Sequence, residues 1–172
     1  INQQKGEALN TAWLTLDIRD NDIIRLCSYL IESLSCVLDD DAKDRLYQLL
    51  SSDANRWNEV LSERVVVQLV DSIGSTNCPV IIVMDNFQSI QTVQVIRFVD
   101  TLLAHAPENL SIVIASSQPI GLSTTRFRLD RNITEIGVKD LQLTETETIR
   151  LLNNLLPNST DSQIIQELSQ RC

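Results

Sequence analysis

Glycine and histidine are scarce in this sequence, and their scarcity excludes several kinds of site. The four glycines are Gly6, Gly74, Gly121 and Gly137, and none belongs to a G-x-x-x-x-G-K-[ST] or G-x-G-x-x-G pattern. The chain therefore has no glycine-rich loop whose backbone amides would hold the phosphates of a nucleotide in the usual way. His105 is the one histidine, which excludes a histidine-rich metal site.

Basic residues and long apolar runs are also in short supply. Lys and Arg number 14 against 23 Asp and Glu, for a formal net charge of -9. Such a chain repels nucleic acid and anionic membranes, so we expect no direct DNA contact by this segment and no membrane contact. No apolar run approaches the roughly 20 residues that span a bilayer, and no signal-peptide layout opens the chain. The four cysteines form no C-x-x-C pair, as expected for a cytoplasmic protein with reduced thiols.

Apolar strands that alternate with amphipathic helices are the main pattern that is present. Hydrophobic residues make up 43% of the 172 positions, enough for one domain with a core. Apolar residues at helical spacing follow the first and second predicted strands. Asp20 or Asp22 can cap the helix after the first strand, and the box Thr144-x-x-Glu147 opens a later helix. The order predicts an α/β fold with a mainly parallel sheet. The predicted strands are Ala12–Leu16, Val80–Asp85, Ser111–Ser117 and Ile133–Val138.

Polar side chains stand where three of these strands end, at Asp17, at Asp85 and Asn86, and at Ser116 and Ser117. Function gathers at the carboxyl ends of strands in parallel sheets. Four or five apolar residues followed by Asp is the pattern with which P-loop NTPases hold Mg²⁺ through water. The alternative is that Asp85 only caps the turn into the next helix, and the pattern by itself favours that alternative.

Two longer stretches resemble one family of proteins. "AWLTLDIRDNDIIRLCSYLIESL" and "VIIVMDNFQSIQTVQVIRFVDTLLAHAPENLSIVIASSQP" are similar to segments of the large ATP-binding regulators of the MalT-like, LuxR-type class. The second stretch resembles their Walker B strand, the following helix and the sensor strand. "RFRLDRNITEIGVKDLQLTETETIRLLNN" resembles the stretch that comes next in the family. The resemblance spans roughly Ala12 to Arg171.

This resemblance implies the nucleotide-binding domain of a STAND-type signal-transduction ATPase. Family members are bacterial transcription activators in which ATP and a small-molecule inducer drive self-association, while a separate helix-turn-helix binds DNA. In the family the phosphate-binding loop precedes the helix that leads into the "AWLTLD" strand. We therefore expect this chain to be a fragment without the P-loop strand.

The resemblance also implies a particular architecture. It is a P-loop NTPase-like, three-layer parallel sheet with helices on both faces, whose central P-loop strand is missing. The strands Ala12–Leu16, Val80–Met84 and Ile112–Ala115 should lie side by side and parallel. The strand Ile133–Val138 would lack its usual neighbour. We expect a partial NTPase-like domain over residues 1–142 and the start of a helical subdomain over 143–172.

The implied site consists of Asp85, Asn86, Ser116 and Ser117, with Asp85 as the ligand of Mg²⁺ through water in a longer chain. Asn86 replaces the second Walker B acid of the family, and an amide cannot take a proton from attacking water. Ser117 replaces an Arg that follows the sensor strand; Arg126 or Arg128 nearby would be the substitute for a phosphate contact. ATP and Mg²⁺ are therefore the expected cofactors of the longer protein, in which we expect weak or absent ATP hydrolysis. For this fragment we expect no cofactor.

Three functions are compatible with these features. The first is a regulatory nucleotide-binding domain of a transcription activator, with self-association and an inducer site elsewhere in the longer protein. The second is a degenerate NTPase-like module that binds a partner or a second copy without nucleotide. The third is a scaffold domain whose acidic strand ends are only turn caps. A phosphate loop in the residues upstream of Ile1 would separate the first from the second.

Overall fold

The computed structural model describes residues 10–52, 57–76, 78–129 and 133–155. They fall into two compact units that divide between Ser123 and Thr124. The predicted boundary between residues 142 and 143 stays a prediction, and much of the predicted helical subdomain lies outside the described residues.

A three-stranded parallel sheet lies in the first unit. Its strands, in spatial order, are β1 (Asn10–Thr15), β2 (Val80–Asp85) and β3 (Leu110–Ile114). The register places Ala12 beside Ile82 and Ile82 beside Ile112. The prediction that these three segments are adjacent and parallel is confirmed, and so is the α/β class.

In the described ranges, four α-helices connect the strands of the first unit and three α-helices lie in the second. None of the described helices is long and apolar enough to cross a bilayer. The first unit contains α1 (Ile23–Ser33), α2 (Asp40–Ser52), α3 (Glu59–Gly74) and α4 (Val93–Ala104). The second unit contains α5 (Thr125–Leu129), α6 (Val138–Leu141) and α7 (Glu145–Leu155). The predicted capping box opens α7, where the backbone N–H of Thr144 donates to Glu147 and that of Glu147 donates to the Thr144 hydroxyl.

Only one face of the sheet is covered by the helices of the first unit. Ala12, Leu14 and Met84 on this face are at most 1% exposed and belong to the same core as the helices. Both crossovers run in the same direction across the sheet, so right-handed connections place their helices on the same side. On the opposite face Trp13 is 57% and Val113 is 48% exposed. The expectation of helices on both faces is therefore not met in the described part of the first unit.

The predicted strand Ile133–Val138 is wrong. Residues 133–137 form no regular element, and Val138 is the first residue of α6. The backbone N–H of Gly137 donates to the Asp140 carboxylate, and Ile136 and Val138 are 67% and 84% exposed. A β-prone sequence becomes a strand only when a neighbouring strand accepts its backbone hydrogen bonds, and all three described strands belong to the first unit.

The first unit is centred on aromatic and aliphatic side chains from α4. Phe98 is fully buried, and its ring meets that of Trp57 edge to face at a centroid distance of 6.3 Å. Trp57 precedes α3, so this pair fixes the start of α3 against the middle of α4. Such pairs contribute about 0.5–1.5 kcal/mol beyond the burial of their surface.

The substitution Phe98→Ala should lower the free energy of unfolding by about 3–5 kcal/mol, because it opens a cavity and removes the ring contact. Urea unfolding followed by circular dichroism measures this change. Val93→Ala on the same helix, at a position 62% exposed, should change it by less than about 0.5 kcal/mol. Equal effects of the two substitutions would contradict this packing.

Candidate functional site

The carboxyl ends of β1 and β2 lie side by side and form the edge on which the predicted site residues stand. Thr15 pairs with Asp85, and the backbone N–H of Leu16 donates to the Asp85 carbonyl at 2.9 Å. Beyond β2 the pairing with the third strand continues, since Phe87 N–H donates to the Ala115 carbonyl at 3.0 Å. The chain therefore leaves all three strands at one polar edge.

Asp85 is half-buried at this edge, and its two carboxylate oxygens differ. Oδ1 accepts the backbone N–H of Asn86 at 2.9 Å, so the carboxylate does cap its own turn. Oδ2 has no hydrogen-bond partner among the described residues. One oxygen thus remains for a water ligand of Mg²⁺, which binds proteins through one or two carboxylates and completes its shell with water and phosphate. Within the described ranges no group of three or more acidic, His or Cys residues is placed to hold a metal.

Asn86 has a left-handed backbone conformation with φ of 59° and ψ of 37°. In this conformation a Cβ crowds the following carbonyl oxygen, which Gly avoids and which Asn and Asp offset with short side chains that can bond to the local backbone. The side chain is exposed, and its Oδ1 accepts from Gln88 Nε2 at 3.4 Å. An acid would fit the same backbone, so the amide at this position is not dictated by the turn.

Gln88 joins the two parts of the predicted site and was missed by the sequence interpretation. Its Oε1 accepts the backbone N–H of Ser117 at 3.2 Å, while its amide reaches Asn86. Ser116 is instead engaged locally, with its hydroxyl donating to the Gln118 carbonyl at 2.7 Å. The structure therefore brings Asn86 and Ser117 together through Gln88. Because Ser117 lies 29 positions after Gln88, the sequence has no local signal of this contact.

Asn21 connects the end of the first strand to the start of α4. Its Oδ1 accepts the backbone N–H groups of Gln91 and Thr92 at 2.7 and 2.9 Å. Its Nδ2 donates to the Ser89 carbonyl at 2.8 Å. Thr92 is the N-cap residue of α4, so Asn21 holds the two residues that lead into this helix from 70 and 71 residues away.

The acids on either side of Asn21 have separate structural tasks. Asp22 caps α1 by accepting from the N–H groups of Ile24 and Arg25, as the sequence predicted. Asp20 is 1% exposed; its Oδ2 accepts the N–H of Asp17, and its Oδ1 pairs with Arg25 at 3.0 Å. The triplet Asp20-Asn21-Asp22 therefore builds the turn after the first strand and the start of α1.

Asp17, at the end of the first strand, is occupied by Arg19. Hydrogen bonds from the side chain and backbone of Arg19 lower the pKa of the Asp17 carboxyl from 3.8 to about 2. The same contact raises the pKa of the Arg19 guanidinium. Asp17 is thus a charged cap of the turn that begins at Ile18.

The two arginines considered as phosphate contacts lie in the second unit. The guanidinium of Arg128 bonds to the Glu135 carboxylate through two nitrogens, so it is already paired. The side chain of Arg126 lies outside the described part of the chain.

Comparison with known proteins relates this chain to two kinds of bacterial protein, at low identity. It is 24% identical over 165 residues to the HTH-type transcriptional regulator MalT of Vibrio parahaemolyticus, and 26% identical over 161 residues to MalT of Serratia proteamaculans. It is 26% identical over 143 residues to the serine/threonine-protein kinase PknK of Mycobacterium tuberculosis. No family model matches the sequence.

The matches cover most of this chain and a small part of each relative. They include 92% of the chain and 17% of the Vibrio regulator, 88% and 16% for the Serratia regulator, and 83% and 12% for the kinase. The similarity therefore concerns one segment that occurs both in transcriptional regulators and in a protein kinase.

Asn21→Ala should lower the free energy of unfolding by about 2 kcal/mol, because three backbone groups of the loop before α4 lose their partner. Chemical denaturation measures the loss. Gln94→Ala, an exposed change in the first turn of α4, is the matched control and should stay within about 0.5 kcal/mol of the unsubstituted chain. An Asn21→Ala chain as stable as the control would contradict the bridging role.

Stability should also depend on the ionisation of Asp17. A carboxyl with a pKa lowered to about 2 in the folded chain stabilises the fold at pH values above its unfolded pKa of about 3.9, and this contribution is lost as pH falls through about 2. The urea midpoint of the unsubstituted chain should therefore exceed that of Asp17→Asn at pH 5, and the two should converge toward pH 2. A gap that is independent of pH would contradict the assignment.

Proposed function

We propose that this chain is part of the nucleotide-binding regulatory domain of a bacterial LuxR/MalT-type transcriptional regulator. In that protein the domain couples the binding of ATP and of a small-molecule inducer to self-association. The observation that carries the proposal is the position of Asp85. It ends a buried central strand between two parallel neighbours, in the order expected of such a domain, and keeps one carboxylate oxygen free among the described residues.

The similarity to MalT over 92% of the chain supports the same proposal. That relative is named as an HTH-type transcriptional regulator. A net charge of -9 makes the present chain unsuited to DNA, which fits a segment of such a regulator that lies outside its DNA-binding part. DNA binding and the inducer site belong to other parts of the longer protein, in the cytoplasm. The kinase match is compatible with a regulatory segment that serves more than one kind of output.

Several residues of the polar edge would together bind Mg-ATP, each in a different role. Asp85 would hold the magnesium ion through water with its free oxygen, and Ser116 and Ser117 would stand beside the nucleotide. Gln88, which links Asn86 to the backbone of Ser117, would keep these groups in place. Asn86 has no proton-accepting carboxylate, so nucleotide would be bound and hydrolysed slowly or not at all.

A phosphate loop would have to come from outside the sequence in hand, because none of the four glycines lies in such a motif. Phosphate binding by P-loop proteins depends on the backbone amides and the Lys of that loop. The 172-residue chain by itself should therefore show no measurable heat of Mg-ATP binding in isothermal titration. A dissociation constant in the micromolar range would overturn this part of the proposal.

A nucleotide-independent interaction module is the second candidate function. The observation that favours it is the sheet face on which Trp13 and Val113 are exposed, on either side of Val83, which is 8% exposed. Parallel sheets are usually covered on both faces, so this face is suited to a partner. Such a module would tolerate the loss of Asp85, whereas a nucleotide-binding domain would not.

Asp85→Asn should weaken Mg-ATP binding by the longer natural protein at least about tenfold, because it removes the charge that holds the metal. The amide retains an oxygen that can accept the Asn86 N–H, so the turn is kept. Asp44→Asn, an exposed change on α2, is the matched control and should leave affinity unchanged. Titration calorimetry with and without Mg²⁺ separates the outcomes: unchanged affinity for Asp85→Asn would make Asp85 a structural cap and favour the interaction module.

A further inference from the structure

An open groove of about 620 Å³ runs between α2 and α3. It lies on the helical layer and uses none of the residues of the polar edge. Its walls combine charged, amide and apolar side chains: Arg45, Gln48, Leu49, Glu63, Arg64, Val67, Gln68 and Asp71.

The exposed side of α3 carries two valines at helical spacing, of which Val67 lines the groove and Val60 does not. Val60 and Val67 are 65% and 47% exposed and lie two turns apart on the same side of the helix. Arg64 lies between them, and Asp71 continues the row one turn further. An exposed row of large apolar residues on a helix is suited to contact with another helix.

The charges along this wall are balanced and unpaired. Glu63, Arg64, Asp71 and the facing Arg45 make no ion pair within the described part of the chain, although five other pairs occur there. The whole chain has a net charge of -9, so two bases beside two acids make this surface locally neutral. A second copy of the chain is therefore not repelled here as it would be elsewhere.

The order of side chains on α3 is self-complementary about its middle. A two-fold axis between positions 63 and 64 relates Val60 of one copy to Val67 of the other. The same axis places Glu63 of each copy opposite Arg64 of its partner. An antiparallel pair of α3 helices would thus make one valine contact and one ion pair, each occurring twice by symmetry as in an isologous interface.

We propose that the groove between α2 and α3 is a homodimer surface, with α3 packed antiparallel against α3 of a second copy. An acidic partner would be opposed by Glu63 and Asp71 and a basic one by Arg45 and Arg64, whereas a second copy satisfies both signs. The α3 surface would be where the self-association of the proposed function takes place, and the inference depends on the proposed function only for that link. Its test needs no nucleotide, so failure of one does not decide the other.

Sedimentation equilibrium of the 172-residue chain tests the proposal. We expect a reversible monomer–dimer equilibrium with a dissociation constant on the order of 100 µM, since the apolar contact is small. Glu63→Arg and Arg64→Glu should each weaken it at least about tenfold, because each creates two like-charge contacts. The double variant E63R/R64E restores both pairs and should dimerise as the unsubstituted chain does.

The two single variants also separate the interface from the overall charge. Glu63→Arg makes the chain less negative and so lowers the general repulsion between copies, which by itself would strengthen association. The proposed interface predicts the opposite, a weaker dimer. Glu108→Arg, an equal charge change at another exposed acid, is the control. A mixture of Glu63→Arg and Arg64→Glu chains should form heterodimers, because every pair in them is of opposite sign.

A monomeric chain at about 500 µM, a Glu63→Arg variant that associates as well as the control, or a double variant and mixture that do not recover would each overturn the proposal.

Discussion

The hydrogen bonds of Asn21 are the contacts on which the polar edge of this molecule depends. A parallel sheet fixes the register of its strands but leaves the loops at their carboxyl ends free to diverge. Asn21 joins two of those loops by accepting from Gln91 and Thr92 and donating to Ser89. Because the neighbouring acids cap the turn and α1, a short acidic triplet organises both the exit of β1 and the entry of α4. Asp85 itself is placed by the sheet, where it pairs with Thr15 and accepts the N–H of Leu16.

Asp85 shows how a structural task and a chemical task can be combined in one carboxylate. One oxygen accepts the N–H of Asn86 and holds the turn, which is the role that the sequence alone favoured. The other oxygen is free among the described residues, so capping does not exclude a metal ligand. The left-handed conformation of Asn86 suits Asp as well as Asn. The amide at position 86 is therefore not a requirement of the backbone.

The sequence predicted the elements whose signals are local and continuous. The apolar runs of β1 and β2, the caps at Asp22 and Thr144, and the apolar side of α4 are all of this kind. The strand predicted at Ile133–Val138 failed because a strand requires a neighbour, and composition does not show whether one is present. The roles of Asn21 and Gln88 were not predictable, since their partners lie 71 and 29 residues away. Similarly, nothing in the pattern of Trp13 and Val113 indicated that one sheet face would stay exposed.

The polar edge is ordered by its own hydrogen bonds before any ligand binds. Amide hydrogen exchange of the 172-residue chain, read residue by residue by NMR, tests it most directly. The N–H groups of Gln91 and Thr92 should be protected in the unsubstituted chain and should lose that protection in Asn21→Ala, while amides within α2 and α3 exchange as before. Exposed, rapidly exchanging amides at Gln91 and Thr92 in the unsubstituted chain would contradict a preformed site.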